Sequence, residues 1–146
     1  MLRVSAEAII NAPADAVYAI IADYRDGHPR IIPKPPFISL DVEEGGIGAG
    51  TVIRCRMRMM GRTQEFRATV TEPEPGKLVE TIAATGMVTS FTVDSAGDKP
   101  PVTIATDFKA RGGLLSRVER FLITRALRPV YVREIALLEA VAAKTL

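Results

Sequence analysis

Histidine and cysteine are nearly absent from this chain, and tryptophan is missing altogether. The 146 residues include one histidine, His28, and one cysteine, Cys55. A single cysteine excludes an internal disulfide. One histidine and one cysteine also cannot supply the clustered ligands of a structural zinc site. We therefore expect no metal site, and we interpret Cys55 as a buried thiol in the core.

Long apolar runs are lacking too. No run approaches the roughly 20 residues that a helix needs to cross a bilayer, and residues 1–4 alternate like a strand rather than forming a signal-peptide core. A cytoplasmic protein is the resulting expectation. The composition, with 47% hydrophobic and 25% charged residues, is that of an ordinary globular protein. This length predicts a single domain over residues 1–146.

A phosphate-binding motif is also missing, although glycine is abundant at residues 45–50. The spacing does not fit G-x-G-x-x-G, because position 51 is threonine, and no Gly-Lys-Ser/Thr follows. The next segment is predicted to be a strand, so no helix N-terminus would face a phosphate. We expect no nucleotide and no other cofactor.

The charge is balanced overall but unevenly distributed. Nineteen basic and seventeen acidic residues give a net charge of +2, yet the segment from residue 111 onward has seven basic residues and only three acidic ones. An anionic membrane or RNA contacting Arg117, Arg120 and Arg128 is one interpretation. The other, which we favour, is a solvated helix face with local ion pairs. DNA is not an expected partner.

The C-terminal segment 112–146 is the longest amphipathic stretch and is interrupted only by Pro129. Its apolar residues recur at three- and four-residue steps, the period of one helical face. They are Leu114, Val118, Phe121, Leu122, Ala126, Val130, Leu137 and Val141. A helix of this kind must bury its stripe, and the strands that precede it are the available partner.

Two-residue alternation dominates the middle of the chain and predicts strands. The predicted strands span residues 2–10, 37–44, 51–59, 62–71, 78–84, 87–93 and 102–109. A helix at 13–23 and a short helical turn near 29–32 follow the first strand. Seven strands, two early helices and one long final helix predict an α+β fold with an antiparallel sheet.

This order of elements resembles the START/Bet v 1-like (SRPBCC) superfamily, whose members share the helix-grip fold. Polyketide cyclases, lipid-transfer START domains, coenzyme-Q-binding proteins and plant allergens belong to it. Three local segments are similar as well: 11–18 (Asn-Ala-Pro-Ala-Asp-Ala-Val-Tyr), 48–51 (Gly-Ala-Gly-Thr) and 72–77 (Glu-Pro-Glu-Pro-Gly-Lys). The resemblance implies a seven-stranded curved antiparallel sheet wrapped around the C-terminal helix. It also implies a cavity between them for a lipid, quinone or polyketide-like ligand.

The candidate cavity residues come from the apolar strand faces and from the helices. They are Tyr24, Ile53, Met57, Met59, Phe66, Phe91, Phe121 and Arg125. The methionines would give a soft, adaptable wall, although an ordinary core would use the same residues. Arg125 could meet a carboxylate or phosphate of the ligand, because Pro129 removes the helical partner of its carbonyl and kinks the helix there.

No residue set identifies a catalytic site. His28, Tyr24, Glu80 and Asp107 are the candidates, and either carboxyl would serve as an acid or base only if it faced inward, where desolvation raises its pKa. The leading hypothesis is therefore the binding or carriage of a hydrophobic small molecule by a monomer or homodimer. A polyketide cyclase/dehydratase-like enzyme and an interaction module that uses the basic helix face are the alternatives.

Overall fold

A computed structural model of the chain describes residues 2–59, 61–108 and 117–145. It confirms the predicted α+β fold, with seven antiparallel strands, two short helices after the first strand and a long C-terminal helix. The predicted helical residues 112–116 and 146 lie outside the described residues. The elements in order are β1 (Leu2–Ile9), α1 (Ala14–Ala22), α2 (His28–Ile31), β2 (Phe37–Glu44), β3 (Val52–Met59), β4 (Arg62–Glu74), β5 (Lys77–Ile82), β6 (Met87–Val93), β7 (Pro101–Phe108) and α3 (Arg117–Thr145).

The strands form one sheet in the order β1-β7-β6-β5-β4-β3-β2. From β2 to β7 each strand pairs with the next one in sequence, so the turns alternate between the two ends of the sheet. The turns from β3 to β4 and from β5 to β6 therefore lie at the same end, together with Phe108 at the end of β7. We call this the hairpin end of the sheet.

The alternation predicted in β3 is present and separates its two faces. Ile53 and Cys55 are buried on the inner face, whereas the Arg54 guanidinium lies on the outer face, 3.2 Å from the Glu65 carboxylate on β4. Such exposed ion pairs contribute roughly 1 kcal/mol or less each. The inner face, and not the charged outer one, therefore determines how the sheet packs.

Helix α3 packs mainly along β1 and against α1 and α2. Its buried residues are Val130, Tyr131, Glu134, Ile135, Leu138 and Ala142. Three members of the predicted apolar stripe, Val118, Phe121 and Leu122, are exposed instead, because the helix buries a face rotated away from them. None of the helices in the described part of the chain combines the length and apolar character needed to cross a membrane.

We expect Leu138→Ala to lower the free energy of unfolding by about 2–5 kcal/mol, because Leu138 is almost fully buried and the change leaves a cavity. Leu122→Ala removes the same atoms from an exposed position of the same helix and should cost less than about 1 kcal/mol. Urea denaturation of both variants measures the difference. Equal losses would contradict this account of how α3 packs.

Candidate functional site

A cavity of about 530 Å³ lies between the inner face of the sheet and α3. This volume is typical of small-molecule sites, which span roughly 300–1,000 Å³. Most of the wall is apolar, and it consists of Ile32, Phe37, Leu40, Ile53, Cys55, Met57, Met59, Phe66, Ile82, Met87, Phe91, Phe108, Ile123, Ala126, Leu127 and Val130. The polar residues of the wall are His28, Arg62, Gln64, Glu80, Thr89, Tyr131 and Glu134.

Five of the candidate cavity residues lie together on this wall. Ile53, Met57 and Met59 come from β3, Phe66 from β4 and Phe91 from β6. They meet because the inward-facing positions of adjacent strands share one side of the sheet.

The other three candidates lie elsewhere. Tyr24 stacks behind His28, with their ring centroids 4.4 Å apart. Phe121 and Arg125 lie on the outer side of α3, where Phe121 is 60% exposed and the Arg125 guanidinium lies 6.0 Å from its ring. The sequence interpretation placed both on the cavity wall, but α3 directs Ile123 and Leu127 inward at these turns instead.

The segment after α1 carries His28 into the interior. The Tyr24 amide donates to the Gly46 carbonyl at 2.8 Å, which attaches the end of α1 to the loop between β2 and β3. The His28 amide donates to the Asp23 carbonyl at 2.7 Å. Gly46 has a φ of 146°, and a Cβ there would lie 2.5 Å from the Arg25 side chain. The glycine-rich loop therefore anchors the end of α1, just before the segment that presents His28, which explains the glycine content of the loop without a phosphate ligand.

A cluster of four ionisable side chains, Tyr24, His28, Glu80 and Glu134, forms what we call the polar floor of the cavity. The Nε2 atom of His28 lies 3.7 Å from Glu80 Oε2 and 3.8 Å from Glu134 Oε1. The Tyr24 hydroxyl donates to Glu80 Oε2 at 2.6 Å. His28 and Glu134 are almost completely buried. These groups come from α2, β5, α3 and the turn after α1, so only the folded chain brings them together.

The hydrogen bonds and burial determine which atoms carry protons on the polar floor. The Nδ1 atom of His28 lies 2.7 Å from the Ile21 carbonyl, which can only accept, so Nδ1 carries a hydrogen. In the neutral ring, Nε2 therefore presents a lone pair to the two carboxyl groups. Burial, and then the charge of Glu80, raise the pKa of Glu134 well above its usual value. The floor thus places a carboxylic acid and a basic nitrogen side by side.

A second polar group extends the floor along the wall. The Thr106 hydroxyl is hydrogen-bonded to the Tyr131 hydroxyl and, at 2.8 Å, to the Thr89 hydroxyl. Burial raises the pKa of Tyr131 to about 12, so its hydroxyl keeps its proton. Together these hydroxyls offer further donors and acceptors near Glu134.

Asp107, the remaining catalytic candidate, lies on the outer face of β7. Its carboxylate accepts two hydrogen bonds from Arg3, at 2.7 and 2.9 Å. This pairing with Arg3 holds the pKa of Asp107 below its usual value. The neighbouring Thr106 is the residue that faces inward, as strand alternation requires. Asp107 therefore cannot act on a molecule in the cavity.

Cys55 lies on the cavity wall as a protonated thiol, because burial raises its pKa to about 12. It is therefore a poor nucleophile and a poor metal ligand at neutral pH. Within the described ranges, no group of three or more His, Cys, Asp or Glu residues is placed to hold a metal ion.

The sequence interpretation missed Glu134 and Tyr131, counting Glu134 as part of the charged helix face. A signal was present: Leu127, Val130 or Tyr131, Glu134 and Leu138 follow one another at three- and four-residue steps. A carboxyl within such a series is a polar residue on a buried face, and such residues mark functional sites more often than exposed ones do.

The chain matches the family model described as polyketide cyclase/dehydrase and lipid transport over residues 1–143. It belongs to this family. No curated protein matches its sequence.

Several solved structures are similar to this chain in fold. The KanY protein is 27% identical and superposes with a TM-score of 0.84 over 97% of each chain. The Zhui aromatase/cyclase from Streptomyces sp. R1128 is 20% identical, with a TM-score of 0.75 over 97% of this chain and 93% of that one. A START superfamily protein from Mycobacterium smegmatis is 14% identical, with a TM-score of 0.76 over 99% of both chains. The last two show a shared fold.

We expect Glu134→Gln to become increasingly stabilising, relative to the natural chain, as the pH rises above 4.5. Above the usual pKa of 4.5 the unfolded chain releases the Glu134 proton, whereas the folded chain retains it. Rising pH therefore favours unfolding of the natural chain, and glutamine removes this effect. Thermal unfolding between about pH 4.5 and 8 measures it. Glu139→Gln, on the exposed face of the same helix, is the control. A stability difference for Glu134→Gln that does not change with pH would contradict the burial of a neutral acid.

Proposed function

We propose that this protein binds a hydrophobic small molecule in the cavity, with an oxygen-bearing end of the ligand against the polar floor. The observation that carries the proposal is the contrast within one cavity of about 530 Å³, whose wall is largely apolar and whose floor holds His28, Glu80 and Glu134. Membership of a polyketide cyclase/dehydrase and lipid-transport family supports a ligand of this kind.

The chemistry of the wall and floor limits the class of ligand. Apolar side chains favour a ligand by roughly 25 cal/mol for each Å² of apolar surface removed from water. Buried polar groups cost free energy when they are left without hydrogen-bond partners. A ligand carrying a hydroxyl at one end, alone or beside a carbonyl, satisfies both demands. The hydroxyl or carbonyl oxygen can accept from the Glu134 acid, and the hydroxyl can donate to His28 Nε2. A lipid with only hydrocarbon at that end would offer neither group a hydrogen bond.

Filling part of the cavity should weaken binding. We expect Ala126→Phe to weaken the binding of the neutral dye N-phenyl-1-naphthylamine by about tenfold or more, because a ring at this wall position occupies ligand volume. Ala136→Phe adds the same ring at an exposed position of α3 and should leave affinity unchanged. Fluorescence titration measures both variants. Unchanged affinity in Ala126→Phe, or no saturable binding to the natural protein, would contradict the proposal.

A second candidate function is acid–base catalysis, and the placement of His28 Nε2 within 3.8 Å of both carboxyl groups favours it. For a β-hydroxy ketone, Nε2 would take the proton between the carbonyl and the hydroxyl-bearing carbon. The electron pair of that C–H bond forms the C=C bond as the C–O bond breaks. The Glu134 acid protonates the departing hydroxyl, which leaves as water. Proton transfer from His28 back to the Glu134 carboxylate restores the site, so no other reactant is needed.

We expect the natural protein to dehydrate 4-hydroxy-4-phenylbutan-2-one, with the conjugated product followed by its near-ultraviolet absorbance. His28→Gln and Glu134→Gln should each lower kcat about 10²–10⁴-fold, the usual contribution of a positioned acid or base. Tyr18→Phe is the matched control, because the Tyr18 hydroxyl binds Glu72 instead of the polar floor. Dye binding without dehydration would reject this candidate and leave the binding function standing.

A further inference from the structure

We propose that this protein docks on an anionic lipid membrane through the first three turns of α3 and the arginines that flank the turn between β3 and β4. This inference concerns an outer surface and holds whether or not the cavity performs chemistry. It rests on three features of the described residues: exposed apolar side chains, an excess of arginine, and the contribution of the same elements to the cavity wall.

The first turns of α3 expose apolar side chains to solvent. Val118 is 67% exposed, Phe121 60% and Leu122 44%. Residues three and four apart lie on the same side of a helix, so these three form one apolar patch. A contiguous exposed apolar patch of this kind marks a surface that another body covers. The patch lies outside the cavity, since Ile123 and Leu127 of the same turns face inward.

Basic residues surround this patch. Residues 117–128 contain four arginines and a single acidic residue, Glu119. Arg117 and Arg125 are exposed beside the patch. Exposed apolar groups flanked by arginine are the pattern of a helix that lies in the interface of an anionic bilayer.

The turn between β3 and β4 adds to the same charge. Farther from the turn, Arg54 is paired with Glu43 and Glu65 on the outer face. Arg58 and Arg62 lie next to the turn, and within the described chain neither forms an ion pair. Arg62 also reaches the cavity wall.

The elements that carry this surface also line the cavity. Met59, Met87 and Phe108 line the cavity from the hairpin end of the sheet, and Ile123 lines it from the start of α3. The polar floor lies farther from this end, since Glu80 precedes the end of β5 by two residues. A membrane bound through the patch would therefore lie against the elements that enclose a hydrophobic ligand.

The charge favours a membrane over a second copy of this chain. Two copies joined through the patch would bring Arg117 and Arg125 of each close to those of the other, and like charges repel. An acidic protein would satisfy the arginines but supplies no obvious cover for three apolar side chains. The headgroups and acyl region of an anionic bilayer accept both kinds of group at once.

Vesicle co-sedimentation tests the proposal. We expect the natural protein to bind vesicles of phosphatidylcholine mixed with phosphatidylserine, to bind pure phosphatidylcholine weakly, and to dissociate as salt is added. The double variant Phe121→Gln/Arg125→Gln should bind about tenfold or more weakly, since each basic residue alone accounts for about fivefold. Ile47→Gln/Arg30→Gln removes one exposed apolar and one exposed basic residue outside the patch and should bind like the natural protein. Circular dichroism confirms that both variants are folded.

A fluorescent reporter tests the same contact without removing any group that the proposal needs. The chain has no tryptophan, so Phe121→Trp and Ile47→Trp each create a single reporter. Anionic vesicles should shift the emission of Phe121→Trp to the blue and leave that of Ile47→Trp unchanged. No vesicle binding, equal losses in the two double variants, or a shift only at position 47 would overturn the proposal. Binding to poly-glutamate without binding to vesicles, or a dimer disrupted by Phe121→Gln/Arg125→Gln, would also overturn it.

Discussion

The path of α3 along β1, α1 and α2 is the constraint on which the rest of the interior depends. Because the helix packs beside one edge of the sheet, the inner faces of the central strands remain free to line a cavity. The same path brings Glu134 inward, next to His28 from α2 and Glu80 from β5. The packing of α3 against β1, α1 and α2 thus produces both the cavity and the polar groups at its floor.

The polar floor opposes folding and is retained against that cost. Burying a carboxyl group disfavours its charged form, so Glu134 stays protonated. An apolar side chain at this position would stabilise the fold more at neutral pH. The His28 ring stacks on Tyr24, and its Nδ1 atom donates to the Ile21 carbonyl, so that Nε2 faces the two carboxyl groups. Buried polar groups that lower stability and line a cavity are typical of sites that recognise or transform a ligand.

Local patterns predicted most of the fold but little of the floor. Alternation is a property of each strand alone, so the sequence of β3 placed Ile53, Met57 and Met59 on one face before any partner was known. The buried face of α3 was harder to predict. Leu137 and Val141 fit an apolar stripe as well as Leu138 and Ala142 do, and a shift of one residue turns the predicted face by about 100°. The strand that α3 covers also depends on the short helices. The structure shows that this strand is β1. The residues of α3 that face inward therefore depend on packing between distant segments, and Glu134 was missed for that reason.

The most direct test of the polar floor is the ¹⁵N NMR spectrum of the imidazole of His28, which is unambiguous because the chain has one histidine. The account predicts a hydrogen on Nδ1, bonded to the Ile21 carbonyl, and an Nε2 resonance that shifts when the hydroxylated anthraquinone emodin fills the cavity. Ala126→Phe should suppress that shift. An Nδ1 atom without a hydrogen, or an Nε2 resonance that saturating emodin leaves unchanged, would contradict the account.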